Sequence, residues 1–258
     1  MKLEIMKKLI LIQNDYTGAG KSTLVRLLRR YLNQHRVSHQ FVMLDEEEMS
    51  SEPDVRYINP IQKGVLTQIL EALDESDITL MEAASGMGEM VSRLYEQHEL
   101  YSVFAELGIE VTVVLPVNND PESFDAVTEA AEVYSDNVQY LIAHSTTSAY
   151  DEDDGSWDSS YAAKVMDMFE AVEVRYPAAG VEMESAFRTH HTDLASALLE
   201  SDAEERYGKE FTRWLKRSMG QTEAARQYLF GDNFRSLADF SKEPTKRGRK
   251  PKALVQEM

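Results

Sequence analysis

Runs of apolar residues alternate with helically spaced apolar residues along most of this chain. Short runs of consecutive apolar residues are typical of strands buried inside a parallel sheet. Apolar residues that recur every three or four positions are typical of amphipathic helices. The predicted strands are Lys8–Gln13, His39–Leu44, Ile78–Met81, Ile109–Leu115 and Val138–Ala143. The first predicted helix ends near Gln34, and the second begins at Pro60. Further helices are predicted over Met90–Leu107, Phe124–Tyr134, Tyr161–Val172, Leu194–Leu199, Tyr207–Leu215 and Glu223–Phe230.

Strands that alternate with helices predict an α/β fold, with a mainly parallel sheet covered by helices on both faces. The stretch from Val172 to Pro177 leaves two alternatives open, because it either continues the preceding helix or ends in a short strand. Ligands of such sheets bind beyond the carboxyl ends of the strands. Asp45, Glu82 and Asn118 come after three of the predicted strands, so we expect them to lie at that edge.

A glycine-rich stretch from Asp15 to Thr23 joins the first strand to the first helix, and it ends in Gly-Ala-Gly-Lys-Ser-Thr. Strand, glycine-rich turn and helix in this order form the phosphate-binding loop of many nucleotide-binding proteins. Its glycines let the backbone N–H groups point inward at a phosphate, and the helix N-terminus adds partial positive charge. The motif also asks for a glycine early in the loop, where this chain has Asp15.

The loop and the strand ends together predict a nucleotide site. Lys21 is placed to reach the β- and γ-phosphates, and the Ser22 hydroxyl is placed to ligate Mg²⁺. Glu82 and Asp45 are the carboxylates expected in the magnesium site, with ordinary strand-end caps as the alternative. Glu47 is a candidate to orient the attacking water, although three adjacent glutamates more often face solvent. The predicted site comprises Thr17, Gly18, Ala19, Gly20, Lys21, Ser22 and Thr23 as nucleotide contacts, Ser22, Asp45 and Glu82 around Mg²⁺, and Lys21, Asp45, Glu47 and Glu82 in catalysis.

Charge is distributed unevenly along the 258 residues. Residues 241–258 hold six basic and two acidic side chains, which gives this segment a net charge of +4. The whole chain carries −18, so residues 1–240 carry −22. An acidic body of this kind does not attract nucleic acid over its whole surface. Any DNA contact is therefore expected from the basic end, through Lys246, Arg247, Arg249 and Lys250. We predict a nucleotide-binding domain over residues 1–235 and a basic, disordered tail over residues 236–258.

Three function classes are excluded or disfavoured by residue content. The chain has no cysteine, so it has no disulfide framework, thiol nucleophile or cysteine metal site, which suits a cytoplasmic protein. No apolar run approaches the roughly 20 residues that a membrane span needs. His190 and His191 are adjacent and do not share a face of a helix or strand, so we interpret them as structural or surface residues.

These motifs resemble the ParA/MinD superfamily of P-loop ATPases. The resemblance is carried by the loop, by the acidic end of the second strand, and by the Glu-Ala-Ala-Ser-Gly run that begins at Glu82. The stretch 172–177, with Glu184 and Ala186 after it, is similar to the family's late strand and proline. Within the superfamily, the order of elements from residue 8 to about 230 most resembles the TraL/StbC/MobD-type proteins of conjugative and mobilisable plasmids.

That resemblance implies ATP and Mg²⁺ as cofactors, with the adenine beside Pro177. It also implies a nucleotide-dependent homodimer, a plasmid or transfer protein as partner, and a role in plasmid or mobile-DNA maintenance, partition or conjugative transfer. Two loop positions depart from the family pattern, since Tyr16 replaces the signature lysine and Thr17 replaces the first glycine. In the family that lysine reaches the other subunit's nucleotide, whereas tyrosine offers only a neutral hydroxyl. We therefore expect a slow ATPase or a nucleotide switch.

Two alternatives remain from the sequence. A small-molecule kinase would suit the phosphate loop followed by Arg26, Arg29 and Arg30, but the acidic stretch His144–Asp158 is unlike an arginine-bearing lid. A non-catalytic, nucleotide-gated binding protein would suit the departures in the loop. ATP is preferred to GTP, because Asn118-Asn119-Asp120 only partly echoes the guanine-reading motif Asn-Lys-x-Asp.

Overall fold

The computed structural model describes residues 7–46, 52, 54–145, 156–231 and 234. Seven parallel strands in this part of the chain form one sheet with the order β3-β2-β4-β1-β5-β6-β7. The strands are β1 (Lys7–Ile12), β2 (His39–Leu44), β3 (Val55–Ile58), β4 (Ile78–Ala83), β5 (Ile109–Val117), β6 (Gln139–Ser145) and β7 (Val172–Tyr176). The predicted α/β fold with a mainly parallel sheet is confirmed.

Helices cover both faces of the sheet. They are α1 (Lys21–Gln34), α2 (Val65–Glu75), α3 (Gly88–Gln97), α4 (Leu100–Glu106), α5 (Glu122–Tyr134), α6 (Ser156–Ser159), α7 (Tyr161–Met168), α8 (Val181–His190), α9 (Leu194–Ala197), α10 (Ala203–Ala224) and α11 (Arg226–Phe230). Among the described residues, no helix is both long and apolar enough to cross a bilayer.

Alternate residues of the central strand β1 enter two separate hydrophobic cores. Leu9 and Leu11 face the core built with α2 to α7, whereas Ile10 and Ile12 face the core built with α1 and α8 to α11. Because successive side chains of a strand point to opposite faces, a strand covered on both sides must be apolar throughout. This explains the continuous apolar run that predicted β1.

Several helix predictions differ from the structure in their bounds or continuity, and two of them were wrong for clear reasons. Pro60 does not begin a helix, because α2 begins only at Val65, after Gly64 with a φ of 84°. The single helix predicted over Met90–Leu107 is two helices, α3 and α4. The chain breaks between them at Glu99, whose φ of 47° lies in the left-handed region that ends a right-handed helix.

The sheet is also larger than predicted. Strand β3 was missed because it is a short edge strand beside a polar stretch, with only Ile58 fully buried. The strand predicted to end at Leu115 continues to Val117 as β5, so Pro116 lies within it. Strand β1 pairs with β5 only as far as Val114, so the missing N–H of Pro116 interrupts no hydrogen bond to β1. Of the two alternatives at 172–177, the structure has the short strand β7.

Candidate phosphate-binding site

The loop between β1 and α1 lies at the carboxyl edge of the sheet. Gly18 and Gly20 have φ values of 92° and 96°, a conformation that strongly favours glycine. Gly20 is also crowded, because a Cβ there would lie 3.0 Å from the Ser145 Oγ of β6. The Ser145 hydroxyl in turn donates to the carbonyl of Ala19 at 3.0 Å. The second half of the loop therefore needs its glycines and is fixed to the sheet.

The Lys21 ammonium is held inside this loop. Its side chain is only 6% exposed. Its Nζ donates to the carbonyl of Asn14, to the Ser85 Oγ at 2.9 Å and to the carbonyl of Tyr16 at 3.4 Å. Burial lowers the pKa of Lys21, and the nearby carboxylates of Glu82 and Asp15 oppose that shift. A buried cation held by neutral groups is suited to receive an anionic ligand.

Ser22 and Glu82 form a polar pair at the start of α1. The Ser22 hydroxyl donates to Glu82 Oε1 at 2.8 Å, and Glu82 is 2% exposed. Burial raises the pKa of Glu82, while the Ser22 hydrogen bond and the charges of Lys21 and Arg26 lower it. Sequence reasoning placed the two residues in one site, and the structure brings them into contact.

A cavity of about 440 Å³ unites most of the predicted site residues. It is lined by Thr17, Gly18, Gly20, Lys21, Ser22, Thr23, Met43, Asp45, Glu82, Ala84 and Ser85. Ala19 differs from its neighbours in the loop, because its side chain is fully buried. Glu47 lies outside the described residues, as do Lys246, Arg247, Arg249 and Lys250 of the basic end.

A second cavity of about 550 Å³ adjoins the first one across Gly18, Gly20 and Thr23. Its walls are mostly apolar, and they include Pro177 and Ala179 from the linker after β7. Trp214 of α10 also lines this cavity, together with Leu24, Pro116, Tyr176 and Phe187. The two cavities share the glycine turn, so together they form a bipartite site with one polar and one apolar chamber.

The first half of the loop is turned toward other helices. The Asp15 carboxylate accepts the backbone N–H of Gly88 at 2.8 Å, at the start of α3. The Tyr16 hydroxyl donates to Asp120 Oδ2 at 2.5 Å, beside the start of α5. That hydrogen bond raises the pKa of Tyr16 and lowers the pKa of Asp120. Two of the three residues that depart from the expected patterns, Asp15 and Tyr16, thus serve as anchors, whereas the third, Thr17, lines the first cavity.

Sequence reasoning missed two residues of the site. Asn14 donates through Nδ2 to the carbonyls of Pro116 and Ser123, at 2.8 and 2.9 Å, and its carbonyl accepts from Lys21. Ser85, which was not predicted as a site residue, is a direct partner of Lys21. The signal for Ser85 was its place in the small-residue loop that follows Glu82.

The arginines of α1 that suggested a kinase make contacts with other parts of the protein. Arg26 and Arg29 both pair with Glu52, and Arg30 donates to the carbonyls of Leu198 and Glu200. The kinase alternative therefore loses the arginines on which it rested.

The partial guanine motif is a turn before α5, since Asn118 Oδ1 accepts the Asp120 N–H and Asp120 Oδ1 accepts the Glu122 N–H.

Magnesium fits the oxygen donors of the first cavity. Ser22, Asp45 and Glu82 supply one hydroxyl and two carboxylates, which are ligands that Mg²⁺ accepts directly or through its waters. Within the described residues, no cluster of three or more histidines, cysteines or carboxylates could hold a metal by itself. Mg²⁺ takes few protein ligands and completes its shell with water and phosphate.

Comparison with known proteins gives only weak structural likenesses. No protein-family model matches the chain, and no curated protein matches it in sequence. Among solved structures, MinD from Aquifex aeolicus is similar at a TM-score of 0.45 and 14% identity, over 83% of this chain and 97% of that one. FlhF in complex with GMPPNP and Mg²⁺ is similar at a TM-score of 0.35 and 14% identity, over 68% of this chain and 66% of that one. FtsY from Mycoplasma mycoides is similar at a TM-score of 0.36 and 12% identity, over 56% of this chain and 53% of that one.

This chain therefore spans about two thirds of the FlhF chain and about half of the FtsY chain. These likenesses carry no argument about which nucleotide or partner this chain binds.

Proposed function

We propose that this chain binds ATP with Mg²⁺ at the 15–23 loop, hydrolyses it slowly, and uses the bound nucleotide as a switch. One observation carries the proposal. The buried Lys21 ammonium lies in a glycine turn at a helix N-terminus, beside the Ser22–Glu82 pair and in the same cavity as Asp45. A cation, inward backbone N–H groups and oxygen donors for Mg²⁺ are the groups that a triphosphate requires.

The residues act mainly by positioning and by neutralising charge. Lys21 is expected to exchange its contacts with Ser85 and the Asn14 carbonyl for phosphate oxygens. Ser22, Asp45 and Glu82 would hold Mg²⁺ directly or through water, and that ion supplies neutralisation of the β- and γ-phosphate charge. Glu82 must be ionised for this role. Burial raises its pKa and opposes ionisation, whereas the hydrogen bond from Ser22 and the charge of Lys21 lower its pKa and favour the ionised form.

The apolar second cavity is the place for the base and sugar. Pro177 lines it, in agreement with the adenine position that the family resemblance implies. Asn118 and Asp120 are used in the turn before α5, which weakens the case for guanine recognition through them. We therefore propose ATP as the preferred nucleotide. Direct competition between ATP and GTP for the purified protein tests this preference.

A slow rate follows from Tyr16. The signature lysine of the resembled family would bring positive charge to the γ-phosphate, whereas the Tyr16 hydroxyl is bonded to Asp120. Nucleotide would then act by favouring one conformation over another. We propose a ParA/MinD-like role in plasmid or mobile-DNA maintenance, partition or conjugative transfer, with a nucleotide-dependent homodimer. Molecular mass in solution, with ATP and then with ADP, tests the dimer.

The basic end is proposed to bind DNA. Its Arg-Gly-Arg core, Arg247 to Arg249, resembles a minor-groove-binding hook. Deleting residues 241–258 should abolish salt-sensitive DNA binding and leave ATP affinity unchanged. DNA affinity that survives the deletion at every salt concentration contradicts this part of the proposal.

The main test compares ATP affinity with steady-state phosphate release by the full chain. We expect measurable affinity and a turnover on the order of 10⁻⁴–10⁻³ s⁻¹, the range of a phosphate-loop enzyme that acts without an arginine at the γ-phosphate. Absence of ATP binding would overturn the proposal as a whole. Fast turnover by the chain alone would show that another residue supplies the charge. Affinity with no release would support the non-catalytic alternative.

A further inference from the structure

The long helix α10 supports the wall of the second cavity and contributes Trp214 to its lining. The linker formed by residues 177–180 joins β7 to α8 and contributes Pro177 and Ala179 to that wall. Trp214 of α10 is 5% exposed, and its Nε1 donates to the Pro177 carbonyl at 2.7 Å. The hydrogen bond fixes the direction of that carbonyl at the point where the chain leaves the sheet.

Glu210, one turn earlier on α10, fixes the other end of the linker. Its Oε2 accepts the backbone N–H of Met183 at 2.7 Å, in the first turn of α8. Its Oε1 lies 1.8 Å from where a Cβ of residue 180 would be, so Gly180 is needed for the approach. The linker is thus fixed at its first residue and just beyond its last residue, from one helix.

We propose that Trp214 and Glu210 are positioning residues that hold the 177–180 linker in the shape that selects the nucleobase. The inference rests on the proposed function, because it concerns the base chamber of the same site. Hydrogen-bonding groups discriminate between ligands only when their directions are fixed, since a mobile linker can adjust to either base. The triphosphate, in contrast, is held by a separate segment, Gly18 to Thr23.

That separation gives the proposal a specific signature. Loosening the linker should weaken binding of the nucleoside part and leave binding of the phosphate part unchanged. The variant Trp214→Phe removes the donor and keeps an aromatic ring in the core. The matched control is Tyr207→Phe, which removes a hydroxyl donor to Glu200 from the same helix, away from the linker.

The experiment is calorimetry of the full chain with Mg²⁺ and three probes, namely ATP, GTP and inorganic triphosphate. For Trp214→Phe we expect ATP affinity to fall about fivefold, the ratio of ATP to GTP affinity to narrow, and triphosphate affinity to stay at the wild-type value. Glu210→Ala should act in the same direction. Glu210→Gln should restore the wild-type pattern, because its amide oxygen can still accept the Met183 N–H.

The outcomes are distinguishable. If wild type binds neither ATP nor triphosphate, the proposed function fails. If wild type binds ATP but Trp214→Phe keeps both its ATP affinity and its base preference, the positioning role fails and the function stands. Equal losses for ATP and triphosphate would show a general structural defect and would also overturn the positioning role.

A second measurement covers the case in which Trp214→Phe does not fold. Trp157→Phe leaves Trp214 as the only tryptophan of the chain, and its fluorescence then reports on the linker. We expect the emission to change when ATP is added and to stay constant with inorganic triphosphate. A signal that ignores ATP at saturating concentration would contradict a base chamber bounded by Trp214.

Discussion

The two halves of the 15–23 loop are put to different uses. From Thr17 onward, apart from the buried Ala19, the loop lines the first cavity, with left-handed glycines and a buried lysine. Asp15 and Tyr16 instead bond to the starts of α3 and α5. Thr17 and the matching segment from Gly18 to Thr23 are shaped for a ligand, whereas Asp15 and Tyr16 are bonded to the surrounding protein. A departure from a motif can therefore add an anchor without removing the site.

The largest effect is expected in the ligand-binding half. Replacing Lys21 by alanine should lower ATP affinity at least about a hundredfold, because two or more charge-assisted hydrogen bonds to phosphate are lost. The measurement is calorimetry with ATP and Mg²⁺. Lys63→Ala, which removes an exposed lysine from the stretch before α2, is the control and should bind as wild type. Equal affinity in the Lys21 variant would remove the basis of the phosphate-loop assignment.

Glu82 should show opposite effects on function and stability. Glu82→Gln should reduce Mg²⁺-dependent turnover by about 10–100-fold, the range seen when groups that support a metal are neutralised. Asp45→Asn should weaken the Mg²⁺ dependence in the same direction. A Mg²⁺ titration of each variant is the measurement. Titrations that match wild type in both variants would reject the magnesium assignment.

The stability of the Glu82 variant has a defined pH dependence. Burial raises the pKa of Glu82 above its ordinary value of 4.5, so the folded state favours the neutral form. Ionisation therefore costs stability as the pH rises through the folded-state pKa, and that cost is absent at low pH, where both states are protonated. Without nucleotide, we expect Glu82→Gln to raise the melting temperature by about 2–4 °C at neutral pH. The gain should vanish below pH ~4; a gain at low pH only would contradict this sign.

The fold was largely predictable because its signals are local, and the site was predictable where backbone chemistry dictates sequence. Strands such as β5 are predicted by their runs of β-branched residues. Gly20 is predicted as part of the site because its turn has a conformation that strongly favours glycine. The break at Glu99 and the edge strand β3 were not predictable, since each depends on contacts made after folding. The same holds for Asp15 and Tyr16, because their partners Gly88 and Asp120 are distant in sequence.

The anchor made by Asp15 can be tested through the glycine that accommodates it. A Cβ on Gly88 would lie 2.5 Å from the Asp15 carboxylate, so Gly88→Ala should destabilise the protein by about 1–3 kcal/mol. Asp15→Ala should remove the clash, and the double variant should be more stable than the sum of the single effects predicts. Chemical denaturation of all four proteins gives the coupling. Strictly additive effects would mean that the contact is absent in solution.

Substitution of Tyr16 should have the smallest effect on ATP affinity and turnover. That small effect separates the anchoring half of the 15–23 loop most clearly from its ligand-binding half. The tyrosine occupies the position from which the resembled family delivers a positive charge, yet its hydroxyl is directed to Asp120. Tyr16→Phe removes that hydroxyl and keeps the ring, so ATP affinity and phosphate release should both stay within about twofold of wild type. Asp120→Asn is the matched change on the partner and should be equally neutral for turnover. A large loss of turnover in Tyr16→Phe, with ATP affinity retained, would show that the hydroxyl leaves Asp120 to act on the γ-phosphate. The division between an anchoring half and a ligand-binding half would then hold only for the nucleotide-free protein.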